Sequence, residues 1–266
     1  MRKALIPAAG RGTRMLPFTH VVPKELAPLG SRPALDFVVR EALEAGLDHL
    51  GVVVGPEKGL VRDYLERLRD HEELPIASLE FIFQEVPLGL AEAMALARSF
   101  SDGEPFALVL PDNIFLSPDH SLGRMVEAAQ RHGQDAVGVI RVGHEQSGRY
   151  GNCGRIEFDA LPCGDLALRH LASKGPGRLE IAPGETVLRA CGRYICQPHV
   201  FDYIDRLRPE IRGEYSEVPV YQRIISERGA VGVELPGPLF DVGHPSGFLA
   251  ANAFLAAAPE PRREDG

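Results

Sequence analysis

Directly after a short apolar run near the start of the chain comes Ala8-Ala9-Gly10-Arg11-Gly12-Thr13-Arg14-Met15-Leu16-Pro17, a set of residue types suited to holding an anion. Gly10 and Gly12 let backbone N–H groups approach phosphate oxygens, and Arg14 adds a charged bidentate donor. Taken alone, a Gly-x-Gly is also explained by a tight turn. The third glycine of a dinucleotide-binding loop is absent, as is the Gly-Lys-Ser/Thr ending of a P-loop, so neither a nicotinamide nor a Walker-type site is expected. Lys3, Lys24, Lys58 and Lys174 are the only lysines among 29 basic residues, which hints that a retained lysine supplies a compact point charge. Asp112, in Leu108-Val109-Leu110-Pro111-Asp112-Asn113, stands just past a hydrophobic run, where a carboxylate can hold a cation against a phosphate. Asp241, in Phe240-Asp241-Val242-Gly243, offers a second carboxylate, although an Asx-turn would also account for it. Nine histidines form no metal-ligand spacing, and no Gly-x-Ser-x-Gly elbow is present.

These residues need elements to hold them. Ala4 to Ala8, Leu50 to Val54 and Leu79 to Phe83 read as buried strands, separated by helices at Ala34 to Ala45 and Leu60 to Leu68. A helix at Leu90 to Phe100, a strand at Phe106 to Leu110, a helix at Leu122 to His132 and a strand at Asp135 to Val142 continue the alternation. Such a unit is α/β, with ligands outside the carboxyl ends of the strands. From Gly148 the texture changes to short Gly, Pro and Arg-rich segments, with strands expected at Gly154 to Phe158, Leu166 to Leu171 and Val187 to Cys196. Helices at Val200 to Arg206, Val218 to Glu227 and Pro245 to Ala256 and a strand at Gly232 to Glu234 complete the chain. One domain is expected: a nucleotide-side half at 1–145, a second half at 146–256 forming a lid, and a frayed tail at 257–266.

Composition narrows the class. With 266 residues, 44% hydrophobic and a net charge of −8, the chain can bury a large core and carries no basic stripe for nucleic acid. No apolar stretch approaches the ~18–20 residues of a membrane span, and Met1 to Leu5 begins a strand rather than a leader, so a cytoplasmic protein with four reduced cysteines is expected.

The glycine loop is followed by Thr19 and then by Pro23-Lys24-Glu25-Leu26. The stretch from Ile6 to Pro33 resembles the opening of the sugar-1-phosphate nucleotidylyltransferases, and its Arg-Met-Leu-Pro and Pro-Lys-Glu pairing resembles the bacterial UTP:glucose-1-phosphate uridylyltransferases. The resemblance runs from about Leu5 to Phe248, strong through Asp112 and fragmentary afterwards. It implies a Rossmann-like three-layer α/β/α fold with a mainly parallel mixed sheet, and a homo-oligomer. It further implies that Ala8, Ala9, Gly10, Gly12 and Thr13 wrap a nucleoside triphosphate, with Arg14 and Lys24 on its phosphates. Gln84 and Pro87-Leu88-Gly89-Leu90-Ala91 resemble the family's nucleobase segment; a Gln amide offers both donor and acceptor to a pyrimidine edge. Asp112 and Asp241 resemble the ligands of Mg²⁺. On the sugar side, Tyr150-Gly151, Lys174 and Gly192-Arg193-Tyr194 resemble contacts to the sugar phosphate. Two departures stand out: Ser173-Lys174-Gly175 replaces Glu-Lys-Pro, and Gly213 to Val220 loses acidic positions, which leaves Glu85 or Glu217 to supply a sugar-side carboxylate. The implied reaction is transfer of UMP from UTP to glucose 1-phosphate with release of pyrophosphate. A thymidylyltransferase of the same family and a non-catalytic nucleotide-binding relative are the alternatives.

Overall fold

The computed structural model describes residues 1–71, 74–116, 121–147, 150, 154–173, 175, 177 and 179–257. The chain begins with β1 (Lys3–Pro7), a two-residue hairpin of β2 (Pro28–Leu29) and β3 (Arg32–Pro33), α1 (Ala34–Glu44), β4 (His49–Val54), α2 (Gly59–His71) and β5 (Ser78–Phe83). It continues through α3 (Leu90–Leu96), α4 (Arg98–Ser101), β6 (Phe106–Val109), β7 (Asn113–Phe115), α5 (Ser121–His132), β8 (Asp135–Gly143) and α6 (His144–Ser147). The second half holds β9 (Ile156–Ala160), β10 (Leu166–Leu171), β11 (Thr186–Cys196), α7 (Val200–Leu207), α8 (Val218–Arg228), β12 (Ala230–Glu234), β13 (Leu239–Asp241) and α9 (Pro245–Ala257).

Nine strands form one mixed sheet in the order β5-β4-β1-β6-β11-β8-β12-β10-β9. β5, β4, β1 and β6 run parallel, as crossover helices require, and β11 enters antiparallel between β6 and β8. Because side chains alternate along a strand, β1 sends Ala4 and Ile6 into one core with α1, α2 and α5, and Leu5 into the other with α3, α7 and α8. The result is three α/β/α layers. The single helix expected at Leu90 to Phe100 is divided at Ala97, with α4 ending at Asp102 in a left-handed conformation (φ 49°). The two-stranded β7–β13 ribbon lies outside the main sheet and had no periodic signal, since three residues are too few to show one.

Candidate active site

The glycine loop leaves the carboxyl end of β1. The Ala8 N–H donates to the Val53 carbonyl at 2.7 Å, so Ala8 still belongs to the sheet. That corrects its expected place in the phosphate loop: its donor is occupied and it lies beneath the cleft. From Ala9 onward the backbone lines a cleft of about 880 Å³, with Gly10, Gly12, Thr13 and Arg14 on one wall. The Thr19 hydroxyl donates to the Gly12 carbonyl at 2.9 Å and ties the loop to the turn that carries Lys24.

Lys24 and Asp112 meet across 88 residues of chain, with Nζ and Oδ2 2.5 Å apart. Lys24 is fixed from behind: its neighbour Glu25 is 1% exposed and accepts a hydrogen bond from the equally buried Lys58 Nζ at 2.8 Å. The β7–β13 ribbon brings Asp241 alongside. Asp241 pairs in register with Asn113, and the Val242 N–H donates to the Asp112 carbonyl at 2.8 Å. Asp241 does make the Asx-type turn, its Oδ1 accepting from the Gly243 N–H at 3.2 Å, while its Oδ2 lies 3.7 Å from Arg14 Nη1. Arg14 Nη2 is 3.8 Å from Asp112 Oδ2, so one guanidinium spans both carboxylates. Gly243 permits this approach, because a Cβ there would stand 2.7 Å from Asp112 Oδ2.

Electrostatics separate the two acids. Burial alone would push the Asp112 carboxyl up, but the Lys24 ammonium, helped by Arg14, outweighs it and holds Asp112 below the usual carboxylate range. Asp241 moves the other way: burial and the nearby Asp112 charge raise it more than Arg14 lowers it. Two adjacent carboxylates facing the cleft are a hard-oxygen donor set of the kind a divalent cation takes.

Gln84 follows β5 and also lines the cleft; it is 5% exposed, and its buried side-chain N–H₂ has no hydrogen-bond partner among the described residues. The next segment is clamped to the second half of the chain. The Tyr215 N–H donates to the Leu88 carbonyl at 2.7 Å, and the Ala91 N–H donates to the Tyr215 carbonyl at 3.0 Å. Between them Gly89 has φ +117°, and a Cβ there would lie 2.3 Å from the Tyr215 oxygen, so only glycine fits.

The sugar-side expectations divide. Gly192 lines the cleft, its carbonyl accepting from the Leu110 N–H at 3.0 Å. Gly151 and Lys174 lie outside the described residues, although Gly175 and Gly177 line the cleft. Arg193 is a correction. It is fully buried, its Nε and Nη2 donate to Glu41 Oε1 and Oε2 at 3.0 and 2.7 Å, and Nη1 and Nη2 donate to the Leu110 and Asn113 carbonyls at 3.0 and 2.6 Å. A guanidinium so enclosed does not reach a sugar phosphate; it braces the two residues flanking Pro111-Asp112. Tyr150 is a second correction: it is buried, its hydroxyl donates to the Leu239 carbonyl at 3.1 Å and its ring packs under Arg189, so it supports β13 rather than lining the cleft. Of the two carboxylates left open, Glu85 is exposed and off the cleft wall, whereas Glu217 is buried on it. Sequence spacing missed the Glu25–Lys58 pair and Gly243; the scarcity of lysine was the one signal pointing to Lys58.

Outside the cleft, His132 Nε2, Cys163 Sγ and Asp165 Oδ2 gather within 4.8 Å, a proximity hidden by 33 residues of separation. Arg131 already pairs with that Asp165 oxygen at 2.6 Å.

A sheet with a phosphate-type loop, two carboxylates and converging cations at one end defines a nucleotide-processing α/β enzyme. The chain belongs to the Nucleotidyl transferase family, whose match covers residues 3–258. It is 28% identical over 283 residues to the UTP–glucose-1-phosphate uridylyltransferase of Bacillus subtilis strain 168, covering 99% of this chain and 94% of that protein. A second relative, UTP–glucose-1-phosphate uridylyltransferase 2 of Staphylococcus saprophyticus, is 26% identical, with 100% and 95% of the two chains covered. Among solved structures, a UDP-glucose pyrophosphorylase complexed with UDP-glucose superposes with a TM-score of 0.83 at 25% identity, covering 96% of this chain and 98% of that one. A UTP-bound UGPase from Acinetobacter baumannii gives 0.78 at 25% identity, covering 98% and 95%.

Proposed function

We propose that this nucleotidyltransferase moves UMP from UTP to glucose 1-phosphate, releasing pyrophosphate and forming UDP-glucose. The observation that carries the reading is the convergence of Arg14, Lys24, Asp112 and Asp241 where the glycine loop meets the second half of the chain. Two phosphate-bearing substrates repel each other, and cations gathered at their junction offset that repulsion. An oxygen of the acceptor phosphate attacks the α-phosphorus in line as pyrophosphate departs. The attacking oxygen is already anionic, so the protein's task is alignment and charge compensation rather than proton removal.

In this reading Ala9, Gly10, Gly12 and Thr13 present the loop to the triphosphate, and Arg14 and Lys24 exchange their carboxylate partners for phosphate oxygens. Gln84 pairs its free amide N–H with the pyrimidine edge, and Gly89 gives the base room against the backbone. Lys174, Gly151 and Gly192 serve the sugar phosphate. Asp112 and Asp241 fit Mg²⁺ as two oxygen donors held side by side on the cleft by the β7–β13 ribbon. Mg²⁺ held there would neutralise phosphate charge and fix the triphosphate's geometry. A cytoplasmic homo-oligomer accompanies the proposal. The buried free thiols Cys191 and Cys196 suit a reducing compartment, and among the described residues no helix is long and apolar enough to cross a membrane.

Pyrophosphate release by purified protein with Mg²⁺ tests this, pairing UTP and dTTP each with glucose 1-phosphate and other sugar 1-phosphates. Release fastest with UTP and glucose 1-phosphate is expected. A preference for dTTP would make it a thymidylyltransferase, and no release from any pair would refute the proposal.

A further inference from the structure

A second group of ligating side chains lies outside the cleft and takes no part in the reaction just described. His132 is the last residue of α5, and Cys163 and Asp165 stand on the turn between β9 and β10. Two backbone bonds close that turn, the Gly164 N–H donating to the Leu161 carbonyl at 3.0 Å and the Leu161 N–H to the Asp165 carbonyl at 2.9 Å. His132 Nε2 is 2.9 Å from Asp165 Oδ2, and Cys163 Sγ is 3.8 Å from the histidine nitrogen and 3.5 Å from the same oxygen. Arg131 Nη1 also reaches that oxygen, at 2.6 Å. An imidazole, a thiol and a guanidinium thus converge on one carboxylate oxygen, which has two lone pairs to offer, so hydrogen bonding alone does not satisfy all three.

The spacing of the three atoms fits an ion between them. Tetrahedral angles at a zinc ion, with bonds of about 2.0–2.1 Å to N and O and about 2.3 Å to S, put N and O about 3.3 Å apart and each about 3.6 Å from S. The observed separations differ from these by roughly 0.4 Å or less. A nitrogen, a sulfur and an oxygen together select a borderline cation such as Zn²⁺ over Mg²⁺, which takes oxygen donors. The C-terminal end of α5, where His132 sits, carries partial negative charge that favours a cation. We propose that His132, Cys163 and Asp165 bind one Zn²⁺ per chain, with water in the fourth position, and that the ion pins the end of α5 to the β9–β10 turn. On binding, Cys163 gives its thiol proton to solvent and His132 ligates as neutral imidazole through Nε2. Arg131, whose side chain is 48% exposed, releases Asp165 Oδ2 and turns to water.

The test is titration of the reduced, metal-free full chain with Co²⁺, a zinc substitute whose thiolate charge-transfer absorption reports sulfur ligation, in excess Mg²⁺. Wild type should develop that band to an end point of one ion per chain, and Zn²⁺ should displace it. Cys163→Ser should abolish the band, while Cys153→Ser and Asp112→Asn should keep it, which separates this site from the carboxylate pair in the cleft. His132→Ala and Asp165→Asn should each weaken Co²⁺ binding at least about tenfold, the lower end of what even an outer partner of a metal site costs. Arg131→Ala, which frees the Asp165 oxygen, should tighten it. Zn²⁺ at about a hundred times its dissociation constant should raise the melting temperature of wild type by about 5 °C, and that of His132→Ala by less than about 1 °C. No thiolate band in wild type, or a band that survives Cys163→Ser or is unmoved by His132→Ala, overturns the proposal. A band without a rise in melting temperature overturns the pinning of α5 to the turn. Neither result bears on the uridylyl transfer proposed above.

Discussion

Replacing Arg193 by alanine discriminates between a substrate contact and an internal brace. Arg193→Ala leaves the Glu41 carboxylate, whose side chain is 14% exposed, facing an emptied pocket, and strips donors from the Leu110 and Asn113 carbonyls. Removing one partner of a buried ion pair costs about 3–5 kcal/mol. Taking ~4 kcal/mol for the ion pair, and letting water replace part of the carbonyl bonding, the melting temperature of a chain this size should fall by roughly 8–16 °C. Because the two carbonyls flank Pro111-Asp112, loss of the brace should also lower kcat with either substrate saturating. Arg193→Lys should recover little, since one ammonium cannot reproduce a guanidinium that bonds Glu41 through two nitrogens and two carbonyls besides. Thermal denaturation and initial rates provide the assay. A melting temperature within about 2 °C of wild type, together with a raised KM confined to the sugar phosphate, would refute the brace.

Other expectations follow from neighbouring contacts. Lys24→Ala and Asp112→Asn should each abolish pyrophosphate release with the circular dichroism spectrum unchanged; near-normal rates in either would remove that residue from the mechanism. Gly89→Ala must displace the Tyr215 backbone and adopt a strained φ worth about 1–3 kcal/mol, so its KM for UTP should rise at least tenfold, and an unchanged KM would show that the clamp does not shape the base site. Lys58→Met leaves Glu25 buried without its cation and should lose about 3–5 kcal/mol in urea unfolding, most of it recovered by adding Glu25→Leu. Burial would raise Asp36, but hydrogen bonds from Arg40, Tyr64 and Arg32 hold it below its ordinary value of 3.8. In that window the unfolded chain binds the proton more readily, so this stability is complete above 3.8 and is lost as pH falls through the lower folded value. Asp36→Asn should flatten that acid limb in melting temperature against pH, and an unaltered limb would assign it to other groups.

The layered fold was legible because its signals are local. β1, β4, β5 and β6 each declare themselves by a short apolar run, and α1 by Leu35, Val38, Val39 and Ala42 at helical spacing, all of them buried. The place of the glycine loop and of Asp112 on the cleft was legible for the same reason, since a loop at the carboxyl end of a parallel strand has only one place to go. Asp241 was identified as a residue, but what delivers it was not: the β7–β13 ribbon is three residues on each side, and its register depends on contacts that no single segment encodes. Arg193 and Tyr150 show the limit from the other direction. Both lie beside glycines in the sequence, and one-dimensional spacing cannot say which way a side chain points. On β11, Gly192 and Tyr194 line the cleft while Arg193 is directed into the packing beside Glu41, as alternation along a strand requires. That geometry gives Arg193 its influence on the site: by holding the Leu110 and Asn113 carbonyls, it fixes the backbone on either side of Pro111-Asp112.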